Sequence, residues 1–314
     1  MPQPSVIEIK GLRKSYGSGF FLRQVNTAVR DVSLNIAPGR TLAVVGESGC
    51  GKTTLARMAA GLLKPDFGFI TFRGKNFAHW DRKDLRKSIQ VVFQDADGSL
   101  NPSFSARDLL LEPLLLHGLP RSEAEERLPE LLSMVGLVTD LLQRHPHEMS
   151  GGQRQRIGIA RAMSLSPELV IADEPVSSLD RSIQAQILSL LQSFQENNGV
   201  SYLYISHDLG SVRAIAHEVA VMLGGVFVET GPAEEVFSNP IHPYTKLLLT
   251  DENHAEPHFE HDFMDIENRQ STENGCPFAF YCKHSETQCI RDVSGLIEVE
   301  PGRLVRCRAM RRIT

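Results

Sequence analysis

A glycine-rich segment between a predicted strand and a predicted helix constrains the fold of this chain more than any other feature. The segment runs from Gly46 to Thr53 and fits the pattern G-x-x-x-x-G-K-[ST], which indicates phosphate binding when a strand precedes it and a helix follows it. An apolar, β-rich run, Thr41–Val45, precedes it, and a helical pattern extends from Lys52 to about Leu62 after it. The sequence therefore predicts a phosphate site within an α/β protein.

This segment is called the phosphate loop from here on. Physical chemistry explains why its residue types suit phosphate binding. Glycines let consecutive backbone N–H groups turn inward and form a concave anion site, and the N-terminus of the following helix adds partial positive charge. Lys52 can reach the β- and γ-phosphates of a nucleotide, and the Thr53 hydroxyl can ligate Mg²⁺. We interpret Cys50 as a small packing residue rather than a nucleophile, because the sequence places no base beside it.

Polar residues follow two further apolar runs that predict buried strands. Leu169–Ala172 ends at Asp173 and Glu174, and Tyr202–Ile205 leads to His207. Because ligands bind at the carboxyl ends of strands in open α/β sheets, we expect these side chains to share one edge. Asp173 is placed to hold Mg²⁺ directly or through water, and Glu174 to orient the attacking water. Two adjacent carboxylates at the end of an apolar strand favour a functional interpretation, since burial of unpaired charge is unfavourable.

The remaining pattern divides the chain into parts. Strand and helix signals alternate around the three buried runs, which is typical of a parallel sheet with helices packed on it. Val6–Ile9 and Val32–Ile36 alternate like antiparallel strands with one solvated face. From Asp108 to Met163 the pattern is mostly helical. The chain has 314 residues, enough for about two domains, and we predict an α/β core with an antiparallel β subdomain and an inserted helical subdomain.

Charge and hydropathy exclude several classes of protein. Lys and Arg total 33 and Asp and Glu total 38, so the net charge of −5 argues against a basic surface that coats nucleic acid, and no nucleic-acid partner is expected. The longest apolar candidate, Val219–Val228, is broken by Gly224 and Gly225 and is about half the roughly 18 residues that a membrane helix needs. The start, Met1–Pro4, lacks the pattern of a secretory leader. We therefore expect the chain to stay in the cytoplasm and to reach a membrane only through a partner.

A further motif gives the chain a family resemblance. Met149–Arg156 reads M-S-G-G-Q-R-Q-R and opens a predicted helix that runs to about Ser164, with Ser150 as its N-cap. This segment resembles the signature motif of ABC-type ATPases, with Met149 in place of the usual Leu. The other motifs of the family are matched by Tyr16 (the adenine-stacking aromatic), Gln94 (the loop glutamine that joins core and helical subdomain), Ser178–Asp180 (the D-loop) and His207 (the switch histidine). The resemblance covers roughly Val6 to Thr250.

The resemblance implies an ATPase that works as a head-to-tail pair of subunits. It implies that one ATP is bound by Tyr16, Gly46, Ser48, Gly49, Cys50, Gly51, Lys52, Thr53 and Thr54. It implies that Mg²⁺ is held by Thr53, Gln94 and Asp173, and that hydrolysis is promoted by Glu174, His207 and Gln94. The residues expected to close over the ATP of the partner subunit, or to make contact across the pair, are Ser150, Gly151, Gly152, Gln153 and Asp180.

Three segments indicate a subfamily. Ser99–Pro102, Ser182–Gln186 and Asn239–Thr245 look like those of the ATP-binding subunits of oligopeptide and dipeptide importers, a group that also contains nickel and some sugar importers. The resemblance implies an ATPase that powers peptide import, with a nickel or other small-solute importer as the alternative. An ABC-type ATPase of nucleic-acid maintenance or translation is a further alternative, but those tend to have long coiled coils or tandem cassettes, which this sequence lacks.

The same resemblance implies an assembly at a membrane. The expected partners are a second ABC ATPase subunit, favoured to be a different chain, two membrane-spanning permease subunits and, indirectly, an extracytoplasmic solute-binding protein. The implied location is peripheral, at the cytoplasmic face of the inner membrane. Residues 1–235 would form the nucleotide-binding domain, with the helical subdomain at about 95–165, and residues 236–314 would form a small Cys-rich extension.

Four of the five cysteines crowd the C-terminal part of the chain. Cys276, Cys282, Cys289 and Cys307 are separated by 5, 6 and 17 residues, spacings wider than those of a zinc knuckle and unlike those of ferredoxins. In a reducing cytoplasm they indicate a metal or cofactor site before disulfides. Several peptide-importer ATPases carry a Cys-ligated [4Fe-4S] cluster in this region, so the resemblance favours that cluster over zinc, with unligated structural cysteines as the third alternative. A rival interpretation makes the region an electron-transfer module attached to an ATPase.

The segment before these cysteines is strongly acidic. Residues 251–275 contain eight acidic side chains against one basic side chain, Arg269, and we interpret them as a solvated linker. His254, His258 and His261 lie in this segment, where a metal role is the alternative to a solvated one.

Overall fold

The computed structural model describes residues 5–18, 24–94, 96–250, 275–292 and 295–307. The strands are β1 (Ile7–Ser18), β2 (Gln24–Ile36), β3 (Thr41–Val45), β4 (Phe67–Phe72), β5 (Lys75–Asn76), β6 (Ile89–Val92), β7 (Leu169–Asp173), β8 (Ser201–Ser206), β9 (Glu218–Leu223), β10 (Val226–Pro232), β11 (Ile297–Glu300) and β12 (Arg303–Val305). The α-helices are α1 (Lys52–Ala59), α2 (Arg82–Ser88), α3 (Ala96–Ser99), α4 (Ala106–Leu116), α5 (Arg121–Met134), α6 (Gly151–Met163), α7 (Arg181–Asn198), α8 (Leu209–Ile215), α9 (Ala233–Ser238), α10 (Pro243–Thr250) and α11 (Thr287–Arg291). Short 3₁₀ helices cover Phe77–His79, Thr139–Gln143 and Pro146–Glu148.

The larger sheet has the strand order β11-β12-β10-β9-β3-β8-β7-β6. Its central strands β6, β7, β8, β3 and β9 pair in parallel. Every residue of β3, β7 and β8 is buried, which confirms the three strands predicted from apolar runs. Leu42 and Val44 face one core cluster and Ala43 and Val45 face the other, so both faces of the sheet are covered, as a parallel sheet requires.

The smaller sheet is antiparallel, with the strand order β2-β1-β4-β5. Ile7 pairs with Ile36 and Ile9 with Leu34, and these four side chains are buried in one core cluster. The predicted antiparallel strands are therefore confirmed. Both β1 and β2 extend well beyond the predicted segments, and β4 and β5 were not predicted.

The first helix ends earlier than the sequence pattern indicates. The prediction placed its end at about Leu62, but α1 ends at Ala59. Gly61 adopts a φ of 67°, the left-handed conformation that commonly terminates a helix. The apolar residues Leu62 and Leu63 therefore follow the helix, in the connection to β4.

Helices α4, α5 and α6 make up the predicted inserted helical segment. Leu110, Leu132 and Ile157, one from each helix, are fully buried in the same core cluster. Ser105 caps α4 in a capping box with Asp108, a local pattern that fixes where the helix begins. The core cluster also includes residues of the larger sheet, so the insertion packs on the core.

The apolar run Val219–Val228 forms a hairpin. It contributes most of β9 and the start of β10, with Gly224 and Gly225 at the turn, where φ is 50° and 84°. In the part of the chain that the structure describes, no helix combines the length and the apolar character needed to cross a membrane.

The C-terminal part of the chain adds two strands to the larger sheet. β12 pairs with β10, and β11 pairs with β12. Arg303 of β12 forms an ion pair with Glu229 of β10 at 2.8 Å, and both side chains are fully buried. The Glu229 carboxylate also accepts the backbone N–H groups of Ile241 and His242. The pair therefore joins the C-terminal strands to the segment that precedes α10.

Some predictions fall on residues that the structure does not describe. The acidic segment, apart from Gly275, lies outside the described residues, and so do His254, His258 and His261. Their predicted roles remain predictions.

Candidate functional site

The phosphate loop connects β3 to α1 as predicted. Gly46, Gly49 and Gly51 adopt φ values of 151°, 81° and 111°, a region that favours glycine. A Cβ atom on Gly46 would lie 2.2 Å from the carbonyl oxygen of Met222, and one on Gly51 would lie 2.2 Å from that of Ala28. Glycine is therefore required at both ends of the loop for conformation and for space.

Lys52 begins α1, and its side chain lies inside the phosphate loop. Its Nζ atom donates to the carbonyl oxygens of Gly46 and Glu47, both at 2.7 Å, and the residue is buried. An ammonium group held over backbone carbonyls at a helix N-terminus can attract a phosphate group. This arrangement fits the predicted nucleotide site.

Asp173 ends β7 next to the phosphate loop and has an unsatisfied oxygen. The residue is 8% exposed, and its Oδ1 atom has no hydrogen-bond partner among the described residues. Burial, and then the negative charge of Glu174, raise the pKa of Asp173, whereas Lys52 and a hydrogen bond from the Thr53 side chain oppose that rise. An orphaned buried carboxylate oxygen beside a threonine hydroxyl fits a site for a hard divalent cation such as Mg²⁺.

Glu174 follows Asp173 and contacts the end of the neighbouring strand. Its Oε2 atom lies 3.0 Å from Nδ1 of His207, and its N–H donates to the carbonyl oxygen of Ile205 at 2.8 Å. Its φ is 48°, which costs about 1–3 kcal/mol for a residue other than glycine and is typical of functional sites. The predicted grouping of Glu174 and His207 at one sheet edge is thus present.

The N-terminus of α6 presents the segment that resembles the signature motif. The exposed Ser150 is its N-cap, as predicted: its Oγ atom accepts the N–H of Gln153, and its own N–H donates to the Gln153 side chain. A Cβ atom on Gly152 would lie 3.0 Å from the side chain of Ile183 in α7. Asp180, the N-cap of α7, accepts the N–H of Ile183, so the two helix starts lie side by side.

Two predicted site residues stand apart from this group. Tyr16 lies on β1 with an exposed ring, and the Lys14 Nζ atom lies 6.0 Å from its centroid. Gln94 is exposed just after β6. Within the described ranges, no hydrogen bond joins either side chain to the phosphate loop, so their predicted roles depend on a bound nucleotide or metal.

The four C-terminal cysteines lie near one another. Burial raises the pKa of Cys276 to about 11, and the charges of Cys289, Cys307 and Cys282 add to the rise. The N–H of Cys276 donates to the carbonyl oxygen of Cys289 at 2.7 Å. Nevertheless, among the described residues no group of three or more His, Cys, Asp or Glu side chains is placed to hold a metal ion. The four thiols are thus a donor set of the right kind for a cluster, but within the described ranges they do not converge on one point as metal ligands do.

One contact of the phosphate loop was not predicted. The N–H of Glu47 donates to the hydroxyl of Tyr244 at 3.3 Å, across 197 residues of sequence. The sequence identified the segment around Tyr244 as a subfamily motif, but neither periodicity nor spacing links it to the loop. Only tertiary structure brings the two together.

Comparisons with known proteins agree with this geometry. Residues 29–177 match the family described as "ABC transporter", and residues 228–289 match "Oligopeptide/dipeptide transporter, C-terminal region". The chain is 41% identical over 320 residues to the oligopeptide transport ATP-binding protein AppF of Bacillus subtilis, with 97% of each chain covered. It is 41% identical over 310 residues to the dipeptide transport ATP-binding protein DppF of Haemophilus influenzae, with 95% of this chain and 94% of that one covered.

Solved structures show the same fold. The dimeric ATP-binding cassette MJ0796 bound to ADP and Pi superposes with a TM-score of 0.64 at 26% identity, covering 72% of this chain and 98% of that chain. CbiO1 of Clostridium perfringens, part of the transporter complex cbiONQ, superposes with a TM-score of 0.66 at 29% identity, covering 83% of this chain and 100% of that chain.

Proposed function

This chain belongs to the ABC transporter family, among the ATP-binding subunits of oligopeptide and dipeptide transporters, and from that premise we propose how its site hydrolyses ATP to power peptide import. The chain is an ABC ATPase, and ATP with Mg²⁺ fits that family as the ligand of its site. The observation that carries the proposal is the meeting of the phosphate loop, the orphaned Asp173 oxygen and the Glu174–His207 contact at one sheet edge.

The nucleotide is held by the phosphate loop. Backbone N–H groups and the Lys52 ammonium bind the β- and γ-phosphates, and Tyr16 stacks on the adenine. Thr53, Asp173 and Gln94 hold Mg²⁺, which, when bound, neutralises charge on the transferred phosphoryl group. The support for the metal ligands is the buried, unpartnered Oδ1 atom of Asp173 and its neighbour Thr53.

Glu174 promotes the attack of water on the γ-phosphate. Its carboxylate accepts a hydrogen bond from the water and draws off the proton as the new P–O bond forms and the bond to the leaving ADP oxygen breaks. His207 holds that carboxylate through its Nδ1 atom, and the 3.0 Å contact supports this role. The backbone of Glu174 is fixed as well, because its N–H donates to the carbonyl oxygen of Ile205 in β8 at 2.8 Å.

A second ATPase subunit completes each site. Ser150, Gly151, Gly152 and Gln153 close over the γ-phosphate held by the partner subunit, and Asp180 makes contact across the pair. The support is that the α6 N-terminus and its Ser150 hydroxyl are exposed beside Asp180, and that MJ0796 is dimeric. The subfamily resemblance favours a partner that is a different chain. Binding of ATP closes the pair, and hydrolysis reopens it.

The pair transmits this motion to two membrane-spanning permease subunits. Gln94 and residues 99–105 press on the permease, and the exposed Phe93 beside Gln94 offers an apolar contact. The ATPase sits peripherally at the cytoplasmic face of the inner membrane and serves an extracytoplasmic solute-binding protein indirectly. Residues 1–235 form the nucleotide-binding domain, with the helical subdomain at about 95–165, and residues 236–314 form the importer-type extension.

We further propose that the four cysteines would hold a [4Fe-4S] cluster, for which their thiols would have to converge more closely than in this structure. Their mutual proximity and thiol chemistry support it, and no catalytic step is assigned to the cluster. Anaerobic purification followed by iron, sulfide and zinc analysis tests it. About four iron and four sulfide per chain are expected, with loss of both in Cys276→Ser. Zinc or no metal in the wild-type chain would refute the cluster.

Lys52→Ala tests the main proposal. The complete transporter carrying this variant is expected to lose ATP hydrolysis and uptake of a labelled dipeptide together. Lys64→Ala, which removes an exposed lysine shortly after the same helix, is the control and should retain both. Hydrolysis by Lys52→Ala at the wild-type rate would refute the site, and import of Ni²⁺ in place of peptide would refute the cargo.

A further inference from the structure

The segment Gly275–Cys282, called the cysteine segment from here on, lies against a residue that touches the phosphate loop. That residue is Tyr244, the second residue of α10, which is 1% exposed. Its hydroxyl accepts the N–H of Glu47 at 3.3 Å and also forms a hydrogen bond with the Glu47 side chain. The Glu47 carbonyl oxygen in turn accepts the Lys52 ammonium at 2.7 Å. A single residue, Glu47, thus connects Tyr244 to Lys52, the cation expected to bind phosphate.

The ring of Tyr244 is held by the cysteine segment. The buried Phe278 packs against it with 5.7 Å between ring centroids, and against His242 with 6.2 Å. Burial, followed by the negative charge of Glu47, raises the pKa of Tyr244, so its hydroxyl keeps its proton. The tyrosine is therefore a fixed, neutral hydrogen-bonding group.

The backbone before Tyr244 is fixed from the other side. The N–H groups of Ile241 and His242 donate to the buried Glu229 carboxylate, which is paired with Arg303. The N–H of Tyr244 itself donates to the Nδ1 atom of His242 at 3.1 Å. These bonds leave the hydroxyl little freedom relative to the sheet.

A second contact connects the cysteine segment to the same loop. Gly225 donates its N–H to the carbonyl oxygen of Cys50 at 2.9 Å. Its neighbour Gly224 lies so close to Pro277 that a Cβ atom there would be 2.9 Å from the proline Cβ. The cysteine segment therefore supports the phosphate loop at both Glu47 and Cys50.

From these contacts we propose that Tyr244 is a positioning residue for ATP binding, through which the cysteine segment sets the conformation of the phosphate loop. The proposal rests on the proposed function, because it presumes that ATP binds at this loop. The loop binds anions only while its N–H groups converge. Tyr244 fixes the N–H of the Gly46–Glu47 peptide, and the carbonyl oxygen of that peptide, on Gly46, accepts a hydrogen bond from Lys52 at 2.7 Å. Packing changes at Phe278 consequently alter nucleotide affinity, and by linkage nucleotide binding alters the packing of the cysteine segment.

Tyr244→Phe in the full-length chain tests the proposal, since it removes the hydroxyl and keeps the ring. Calorimetric titration with a non-hydrolysable ATP analogue and Mg²⁺ should show a Kd raised about threefold to tenfold, because the hydroxyl's hydrogen bonds to Glu47 are lost. In the ATPase assay, KM for ATP should rise by a similar factor while kcat stays within about twofold, because Glu174 and His207 are untouched.

Tyr202→Phe is the matched control. It also removes a buried tyrosine hydroxyl, one that donates to the Leu191 carbonyl away from the loop, and its nucleotide Kd should stay at the wild-type value. Phe278→Leu is the second variant, which weakens the contact with Tyr244 and should also raise Kd. Melting temperatures are recorded for all variants, so that the Kd of folded protein is compared.

The outcomes separate the two proposals. A wild-type chain that does not bind the analogue would overturn the proposed function and the inference with it. Normal wild-type binding with an unchanged Kd in Tyr244→Phe would overturn the positioning role alone, and so would an equal loss in Tyr202→Phe. If Tyr244→Phe does not fold, an unchanged Kd in Phe278→Leu overturns the role in the same way.

Discussion

The carboxylate of Glu174 and the imidazole of His207 are in contact, with 3.0 Å between Oε2 and Nδ1. Each residue follows the last residue of a strand, and those strands, β7 and β8, are paired so that Asp173 lies beside Ile205. Parallel pairing therefore brings together two side chains that are 33 positions apart in the sequence. The glutamate is largely buried and the histidine is half exposed, which leaves the histidine accessible to a ligand or a partner subunit.

Glu174→Gln should nearly abolish hydrolysis and leave ATP binding intact. The amide keeps the size of the side chain but cannot take a proton from water, and loss of a general base lowers rates by about 10²–10⁴-fold. Affinity is retained because the phosphate loop is unchanged. Single-turnover hydrolysis and equilibrium ATP binding measure the two effects. Glu168→Gln, at an exposed carboxylate before the same strand, is the control; normal turnover in Glu174→Gln would show the catalytic assignment to be wrong.

Ser150→Ala should lower the ATPase rate by more than its effect on folding stability explains. Loss of an N-cap costs about 1 kcal/mol, and Ser105→Ala removes the equivalent cap from α4, where Ser105 and Asp108 form the same type of capping box. We expect similar losses of unfolding free energy in denaturant titrations of the two variants. Only Ser150→Ala should lower the ATPase rate of the paired subunits by more than about tenfold, because its hydroxyl is proposed to reach the partner's nucleotide. Equal ATPase rates in the two variants would contradict that contact.

Local sequence signals predicted the parts of the site that are contiguous in the chain. The β3–loop–α1 unit follows from a glycine pattern between a strand and a helix, and the Ser150 cap follows from a serine three residues before Gln153. The acidic end of β7 was predicted because an apolar run stops at Asp173. In each case the physical cause lies within a few residues, so pattern and structure agree.

Long-range contacts could not be predicted in the same way. Tyr244 meets Glu47 across 197 residues, and Arg303 meets Glu229 across 74; no local pattern specifies either partner. The edge strand β11 was not predicted: its four residues, I-E-V-E, alternate apolar and acidic side chains over too short a run to stand out, and most of them are exposed in the structure. Its pairing depends on the edge that β12 offers, which exists only in the folded chain.

Arg303→Met should strongly destabilise the protein. It would leave the fully buried Glu229 carboxylate without its cation, and breaking a buried ion pair from one side costs about 3–5 kcal/mol. The double variant Glu229→Gln/Arg303→Met should recover part of that loss, since it removes both charges. Glu300→Gln, at the exposed second partner of Arg303, should lose no more than about 1 kcal/mol. Chemical denaturation measures the unfolding free energy of all three variants. If Arg303→Met is as stable as the wild-type chain, the buried ion pair contributes nothing to stability.

Stability should fall as the pH drops below about 6.5, in part because of His242. Burial lowers the pKa of His242 from 6.5 to about 3 in the folded chain. Above pH 6.5 the side chain is neutral in both states, so it imposes no penalty. Between the two pKa values only the unfolded state gains the proton, which favours unfolding; at pH 5 this amounts to about 2 kcal/mol relative to neutral pH.

His242→Asn should remove that part of the pH dependence. An asparagine oxygen can accept the N–H of Tyr244 as Nδ1 of His242 does, and it does not titrate in this range. Unfolding free energies measured by denaturation at pH 7.5 and pH 5 should therefore differ by about 2 kcal/mol less in His242→Asn than in the wild-type chain. The exposed His79, changed to Asn, is the control and should retain the wild-type difference. If the unfolding free energies of the wild-type chain and His242→Asn changed in parallel with pH, His242 would be able to take up a proton in the folded chain. The hydrogen bonds around it would then rearrange more easily than their burial indicates.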